Sequence, residues 1–496
     1  MRNLISDPAW KAEDLGVPIP DDRHATSVCL PTWDSVIGYE EGRDKVISKL
    51  QCGYPRFFLH PAVSRLFLKC EQDVATEGEK VIVFPSRQAA QRALRFVEQR
   101  SNTALRIASY DGLQALILPE SQYALGMDYW RYSGEVVSSR QALDVLHEGG
   151  LWEYDNSDLL RRLEGIGGYD EGDVYLYESG MSAVFAVHRE LRKLAPSKKT
   201  LQLDFPYVDV LKVQNYFGVG VVFLPVSEGE LFDEALNRIR VGEFSAVFCE
   251  VPNNPLLRMV DLTKVRAACD AGNVPLVIDD TVCSAYNVDV KNYADIVTSS
   301  LTKWIAGSGN VMAGAVQLVK RSSFYGEFKA FFSDDCGASH SKLYAHDAAA
   351  LDEGSKNFED RMKPVNEAAQ SIVDFLMHHD AVEQVWYPSI ETKDFYQQVK
   401  TEKGGYGGLV SFTLKNNKKI AKFFDNLRIS KGPSFGNEFS LVCPYTLLAH
   451  YDELEWAESC GVSRNLIRIS VGTEGNQELI KRFNEAFDTI YWFNND

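Results

Sequence analysis

The stretch that decides the fold is Ala294–Asn310, "ADIVTSSLTKWIAGSGN". Its first half is a short apolar run, as expected of a strand buried on both faces. Its second half gathers Ser300, Thr302 and Trp304 around one lysine, Lys303. A solvated lysine needs no such setting, so the pattern predicts a strand that delivers Lys303 to a polar site at its carboxyl end.

Similar runs precede it at 173–179 ("DVYLYES"), 199–204 ("KTLQLD"), 219–225 ("VGVVFLP"), 245–251 ("SAVFCEV") and 275–280 ("PLVIDD"), with amphipathic helical stretches such as "MSAVFAVHRELRKLA" in between. Strands apolar on both faces suit a mostly parallel sheet covered by helices. Residues 156–400 therefore read as a large, doubly wound α/β domain, entered through the flexible join "GIGGYDEGD". From 401 to 496, "GLVSFTL", "LIRISVG" and a long final helical pattern read as a smaller α+β domain. Residues 62–155 alternate helix and strand signals and read as an inserted α/β subdomain. Residues 1–61 are rich in Pro, Gly and polar residues and read as an extended arm over something larger.

At 496 residues, 45% hydrophobic and 24% charged, the chain is an ordinary globular protein of two or three folding units. The formal charge is −17 and there is no basic block to follow a phosphate backbone, which argues against nucleic acid as a partner. There is no apolar leader and no run of about 18 apolar residues, so no membrane association and a cytoplasmic address are expected. Nine cysteines are scattered without a C-x-x-C pair and nine histidines form no short-spaced cluster, so no metal site is expected.

In open α/β sheets, ligands bind at the carboxyl ends of the strands. The polar residues there are Ser179, Gly180, Asn254, Asp279, Ser300, Thr302 and Lys303. "YESGMSA" places small residues where a helix begins near Met181, and a helix N-terminus can hold a phosphate. Asp279 and Asp280 end a buried strand, where a carboxylate requires a cation such as a protonated ring nitrogen. A desolvated Lys303 has a lowered pKa and can attack an aldehyde, whose phosphate the hydroxyls of Ser300 and Thr302 could bind. Singly, each feature has a plainer reading: a serine N-cap beside a tight turn, an acidic helix cap or metal ligand, and a snorkelling surface lysine. Their combination is what points to a cofactor pocket.

In order and spacing, "YESGMSA", "EVPNNPLLRMVDL", "VIDDTVCSAY", "SSLTKWIAGSGNVMAGAV" and "LIRISVGTE" resemble the pyridoxal-phosphate enzymes of cysteine and methionine metabolism. "LPTWDSVIGYEEG", "GYPRFFLHP", "GYGGLVSFTL" and "CPYTLLAHYDELEWA" are similar to the fungal type of cystathionine γ-synthase. The resemblance implies the fold-type-I, aspartate-aminotransferase-like architecture and pyridoxal 5'-phosphate as cofactor. It implies that Lys303 carries the cofactor aldehyde, Asp279 faces the ring nitrogen, and Tyr207 stacks on the ring. Gly180, Met181, Ser300 and Thr302 would bind the phosphate, with Tyr54 and Arg56 reaching it from a neighbouring subunit. Asn254 would lie on the ring-hydroxyl side, and Ser434 and Arg468 would hold the α-carboxylate of an amino-acid substrate. A homodimer sharing its active sites, paired into a tetramer, is the implied assembly. The implied reaction is a γ-substitution on an O-acyl-L-homoserine, such as the O-acetyl ester, with L-cysteine as acceptor. Alternatives are a carbon or nitrogen nucleophile in natural-product biosynthesis, or a cystathionine lyase. The family's G-G-x-E-S-L element reads "GNEFSL" here, with Phe439 in place of the glutamate.

Overall fold

The computed structural model describes residues 2–147 and 152–491. A seven-stranded sheet lies at its centre: β1 (Val174–Tyr177), β2 (Thr200–Leu203), β3 (Val221–Leu224), β4 (Val247–Glu250), β5 (Leu276–Asp279), β6 (Ile296–Ser300) and β7 (Gly314–Leu318). The spatial order is β1-β7-β6-β5-β4-β2-β3, and within this sheet only β7 runs antiparallel to its neighbours. Successive side chains alternate between two helical layers. Leu201, Val247, Leu276, Ile278 and Val297 enter one core, while Tyr175, Tyr177, Phe248, Val277 and Ile296 enter the other. That two-sided burial is why these strands read as near-continuous apolar runs. The expected large, mostly parallel α/β unit is confirmed.

A second, five-stranded sheet contains β8 (Val382–Trp386), β9 (Leu409–Leu414), β10 (Ser430–Lys431), β11 (Leu441–Pro444) and β12 (Ile467–Ser470), in the order β8-β9-β12-β11-β10. Helices Phe358–Met377 and Asn476–Tyr491 pack together beside it. This unit begins well before residue 401, because β8 already belongs to it. The strand escaped notice because Glu383 and Gln384 are exposed and interrupt its apolar pattern.

Residues 61–133 form a three-stranded antiparallel sheet, with Leu113–Pro119 between Glu79–Phe84 and Arg106–Tyr110, together with helices Pro61–Val74, Arg87–Ser101 and Tyr123–Ser133. The Arg87–Ser101 helix starts at Ser86, whose hydroxyl accepts from Ala89 N. The segment has its own sheet but no separate core. Val81, Val83, Phe84 and Phe96 pack in one cluster with Phe185 and Val187 of the large unit's helix Gly180–Leu194.

The arm lies on the second sheet of its own chain. Lys431 N donates to Ala9 O (3.0 Å) and Leu30 N to Lys431 O (2.9 Å), while Leu4, Ala9, Ile19 and Cys29 pack against Phe439 and Leu441. Phe439 is thereby committed to the arm. No helix among the described residues is long and apolar enough to cross a membrane.

Beneath the arm, the buried Lys431 amine donates to Pro31 O (2.9 Å) and Asp425 O (2.8 Å). Burial lowers its pKa to about 7. The unfolded chain therefore holds a proton that the folded chain has released, and stability should rise with pH from about 7 towards the ordinary lysine range. Lys431→Met should abolish that rise in thermal-unfolding midpoints measured between pH 7 and 10; an unchanged slope would show that this amine is not its source.

Candidate active site

Adjacent strands bring the polar residues together. In the parallel register Asp279 pairs with Thr298 on β6 and with Glu250 on β4, so both carboxyls sit at the same carboxyl edge. The turn after β6 carries Lys303 and is pinned from three sides. Trp304 Nε1 donates to Val282 O (2.8 Å), Thr302 Oγ1 donates to Ala313 O (3.2 Å) and accepts from Ala313 N (3.0 Å), and Gly307 N donates to Lys303 O (3.0 Å). The second unit closes over this turn at Gly436, where a Cβ would stand 2.6 Å from Trp304 N. Only glycine permits that approach.

Lys303 is 8% exposed, and its Nζ donates to Ser434 Oγ at 2.8 Å, lying 4.7 Å from the ring centre of Tyr54 and 5.0 Å from that of Phe435. Burial, then the guanidinium groups of Arg468 and Arg56, hold its pKa well below the ordinary lysine value. The result is an amine at the sheet edge whose neutral, nucleophilic form is favoured. Ser434 has φ +85°, a left-handed conformation costing about 1–3 kcal/mol for a non-glycine residue. It is held there by its two partners, since Ser434 O also accepts from Arg468 Nη2 at 3.0 Å.

Beside the lysine is an anion cradle. The helix Gly180–Leu194 points its N-terminus at Ser300, and a Cβ on Gly180 would lie 2.8 Å from the Ser300 Cβ. Glycine keeps this corner open, and the first backbone N–H groups of the helix have no intrahelical acceptors. Ser179 is turned away from the cavity as the N-cap: its hydroxyl donates to Gly134 O (2.9 Å) and accepts from Ser182 N (3.1 Å). Ser179 and Thr302, both expected at the cofactor, thus each spend hydrogen bonds on the main chain.

Arg56 is buried, donating to Asp209 Oδ2 (2.7 Å), Arg131 O (2.7 Å) and Tyr207 Oη (2.6 Å). With Tyr54, it lines the cavity of its own chain. The resemblance assigns these two residues to a neighbouring subunit's site; in the single chain they stand at its own. Residues 48–60 run between the arm's packing on the second sheet and the helix Pro61–Val74 in the large unit's core, so both ends of the segment are anchored on the same chain.

At the far end, Asp279 accepts from Thr281 N (2.9 Å) and Thr298 Oγ1 (2.9 Å), and burial raises its pKa. Glu250 accepts from Tyr207 N (2.6 Å) and Asn254 N (3.0 Å), and burial together with Asp279 pushes it up to about 8. Neither carboxyl has an ion-pair partner among the described residues. Two buried acids without a cation make a place for one supplied from outside. The Asn254 amide accepts from Arg468 Nη1 (2.9 Å) and donates to Tyr445 Oη (3.3 Å), which orients both neighbours.

Lys303, Asp279, Glu250, Gly180, Met181, Ser300, Tyr54, Arg56, Tyr207, Asn254, Ser434 and Arg468 all line one cavity of about 560 Å³, a volume suited to a cofactor with its substrate. Sequence reasoning missed Glu250, Phe435 and Tyr445. Glu250 was readable, since it ends β4 as Asp279 ends β5; Phe435 lies on a loop of the second unit and Tyr445 opens the short helix Tyr445–Ala449, and neither stands at a strand end of the large sheet. Phe439 does not enter the cavity wall, because the arm covers it.

A buried amine with a lowered pKa, an open helix N-terminus on one side and carboxyls without a cation on the other fit an aldehyde with a phosphate arm and a protonatable ring nitrogen. They define the pocket of a pyridoxal-phosphate enzyme of fold type I. The chain belongs to the Cys/Met metabolism PLP-dependent enzyme family, which it matches over residues 164–488, and residues 62–138 match the fungal trans-sulfuration enzyme N-terminal domain. It is 30% identical to the cystathionine gamma-synthase of Neurospora crassa, across 95% of this chain and 98% of that protein. It is likewise 30% identical to the cystathionine gamma-synthase-like enzyme iboG2 of Amanita muscaria, across 95% and 96%. The crystal structure of cystathionine gamma synthase from Xanthomonas oryzae pv. oryzae in complex with aminoacrylate and cysteine shares the fold, with a TM-score of 0.60 at 23% identity, covering 68% of this chain and 85% of that one. The protein is an enzyme that uses pyridoxal 5'-phosphate.

Reconstitution with the cofactor should give a visible absorption band that is absent in Lys303→Ala. Mixing Arg56→Met chains with Lys303→Ala chains, each with a damaged site of its own, should restore no activity. Recovery above the sum of the two separate preparations would place Arg56 in a partner's site.

Proposed function

We propose that the enzyme catalyses γ-substitution on an O-acyl-L-homoserine, with the O-acetyl ester as donor and L-cysteine as acceptor, giving cystathionine. The observation that carries this reading is the placement of one buried lysine amine, tethered to Ser434, in a cavity that also holds Arg468 and has room for a second substrate. The names of the fungal relatives support it.

When bound, pyridoxal phosphate supplies an electron sink that stabilises negative charge developing next to the substrate nitrogen. The chain's residues would do the rest. Lys303 would hold the cofactor aldehyde, and its amine would move protons at the substrate's α- and β-carbons. One tethered amine serves as base and acid in turn, which gives the proximity advantage of an intramolecular step. Ser434 Oγ fixes the amine's resting position. Arg468, aimed by Asn254 and Ser434, binds the α-carboxylate through its planar donors. Asp279 keeps the ring nitrogen protonated. Gly180, Met181, Ser300, Tyr54 and Arg56 hold the phosphate, with Thr302 bracing their turn. Tyr207, fixed by Glu250 at its main chain and by Arg56 at its phenol, orients the ring and excludes water.

Incubation with O-acetyl-L-homoserine and L-cysteine should yield cystathionine by mass spectrometry, with at least a thousandfold loss in Lys303→Ala. Formation of 2-oxobutyrate or pyruvate from supplied cystathionine, with no synthesis from the ester, would identify a lyase instead.

A further inference from the structure

The hydrogen bonds around Arg468 fix which atoms donate and which accept, and they leave one buried proton without an acceptor. A guanidinium only donates, so the Asn254 atom meeting Arg468 Nη1 at 2.9 Å is the amide oxygen. The amide nitrogen therefore faces Tyr445. It too only donates, so Tyr445 Oη accepts from it at 3.3 Å, and the phenol's own proton is left over. Nothing among the described residues accepts that proton within hydrogen-bond distance. Tyr445 is 4% exposed and lines the cavity beside Asn254, Glu250 and Arg468. Burial holds its pKa above the ordinary phenol value, so the proton stays on the oxygen.

A second observation comes from the guanidinium itself. Arg468 is 5% exposed, and its partners are neutral: Asn254 Oδ1, Ser434 O and the thiol of Cys443, which burial keeps protonated. Cys443 on β11 stands directly opposite Arg468 on β12, and the chain then turns so that Tyr445 covers the same group, its ring centre 4.7 Å from the guanidinium carbon. Tyr445 N donates to Leu466 O at 3.0 Å, which fixes the turn. Ser434, the other residue that the resemblance assigns to a carboxylate, already has its hydroxyl engaged with Lys303 Nζ (2.8 Å). A buried cation without a counter-ion and a buried O–H without an acceptor flank one amide. Together they call for an anion with more than one acceptor oxygen.

We propose that Tyr445 is a further binding residue for the amino-acid substrate, its phenol donating to one oxygen of the α-carboxylate while Arg468 donates to the other. The inference rests on the reading of Arg468 as the carboxylate's partner and adds the donor that Ser434 does not supply. Tyr445 thus has two roles: its lone pair steadies Asn254, and its proton holds substrate. Amino acids are selected over amines of the same shape by both groups together.

The test titrates L-norvaline and n-butylamine into the cofactor-loaded enzyme at one pH, with the visible cofactor band as the readout. Butylamine is norvaline with its carboxylate replaced by hydrogen, so the ratio of the two dissociation constants reports on the carboxylate alone. Tyr445→Phe keeps the ring over Arg468 and removes only the hydroxyl. It should weaken norvaline about tenfold, as expected for losing a hydrogen bond to a charged group, and move butylamine less than about twofold. Made again in an Asn254→Ala background, the same substitution should still weaken norvaline relative to butylamine. No further loss there would show that the phenol acts only by holding Asn254 in place, and it overturns the inference. A loss shared equally by both amines, or none in the single variant, overturns it as well. Norvaline has no leaving group on its γ-carbon, so the outcome is separate from the γ-substitution reading, whose failure shows instead as no cystathionine from the ester and cysteine.

Discussion

Burying an amine that has no carboxylate partner is the constraint on which the rest depends. Lys303 could escape the desolvation cost by reaching a counter-ion, but its neighbours are a hydroxyl, two aromatic rings and two guanidinium groups. Desolvation instead lowers its pKa well below the ordinary lysine value, which favours the form with a lone pair available for bonding. The acids that might have neutralised it stand at the other edge of the cavity, where Asp279 and Glu250 are held by hydroxyl and amide donors. Keeping an amine and two acids buried and apart in a dry cleft is costly, and it persists because adjacent strands and a pinned turn over-determine each position.

The large unit was legible because physics writes it twice in the sequence. Strands covered on both faces must be apolar throughout, and the polar residues just beyond them have only one edge to occupy. Gly180 shows the same economy: what looks like a generic turn is demanded by the approach of Ser300. β8 was less legible, since half of it faces solvent. Ser179 and Thr302 show a different limit. Their hydroxyls are of the right kind in the right motifs, but an N-cap and a turn brace consume them, and competition between local and ligand hydrogen bonds cannot be read from spacing.

The destination of the arm was equally hidden. Its sequence carries few periodic apolar residues, yet Ala9, Ile19 and Cys29 bury themselves by borrowing Phe439 and Leu441 from the far end of the chain. Position 439, where resemblance directs attention to catalysis, is therefore occupied by packing. Glu250 and Tyr445 act by orienting Tyr207, Asn254 and Arg468 rather than by any motif of their own.

The arm's docking also orders events in time. Ile5 is held by Arg482, Ala9 by Lys431, and Tyr54 joins a pocket whose opposite wall is contributed by Arg468. A ribosome emits the first of each pair some four hundred residues before the second. The wall that carries Tyr54 and the wall that carries Arg468 thus cannot meet while the second unit is still being made, and the cavity closes only once that unit has left the ribosome.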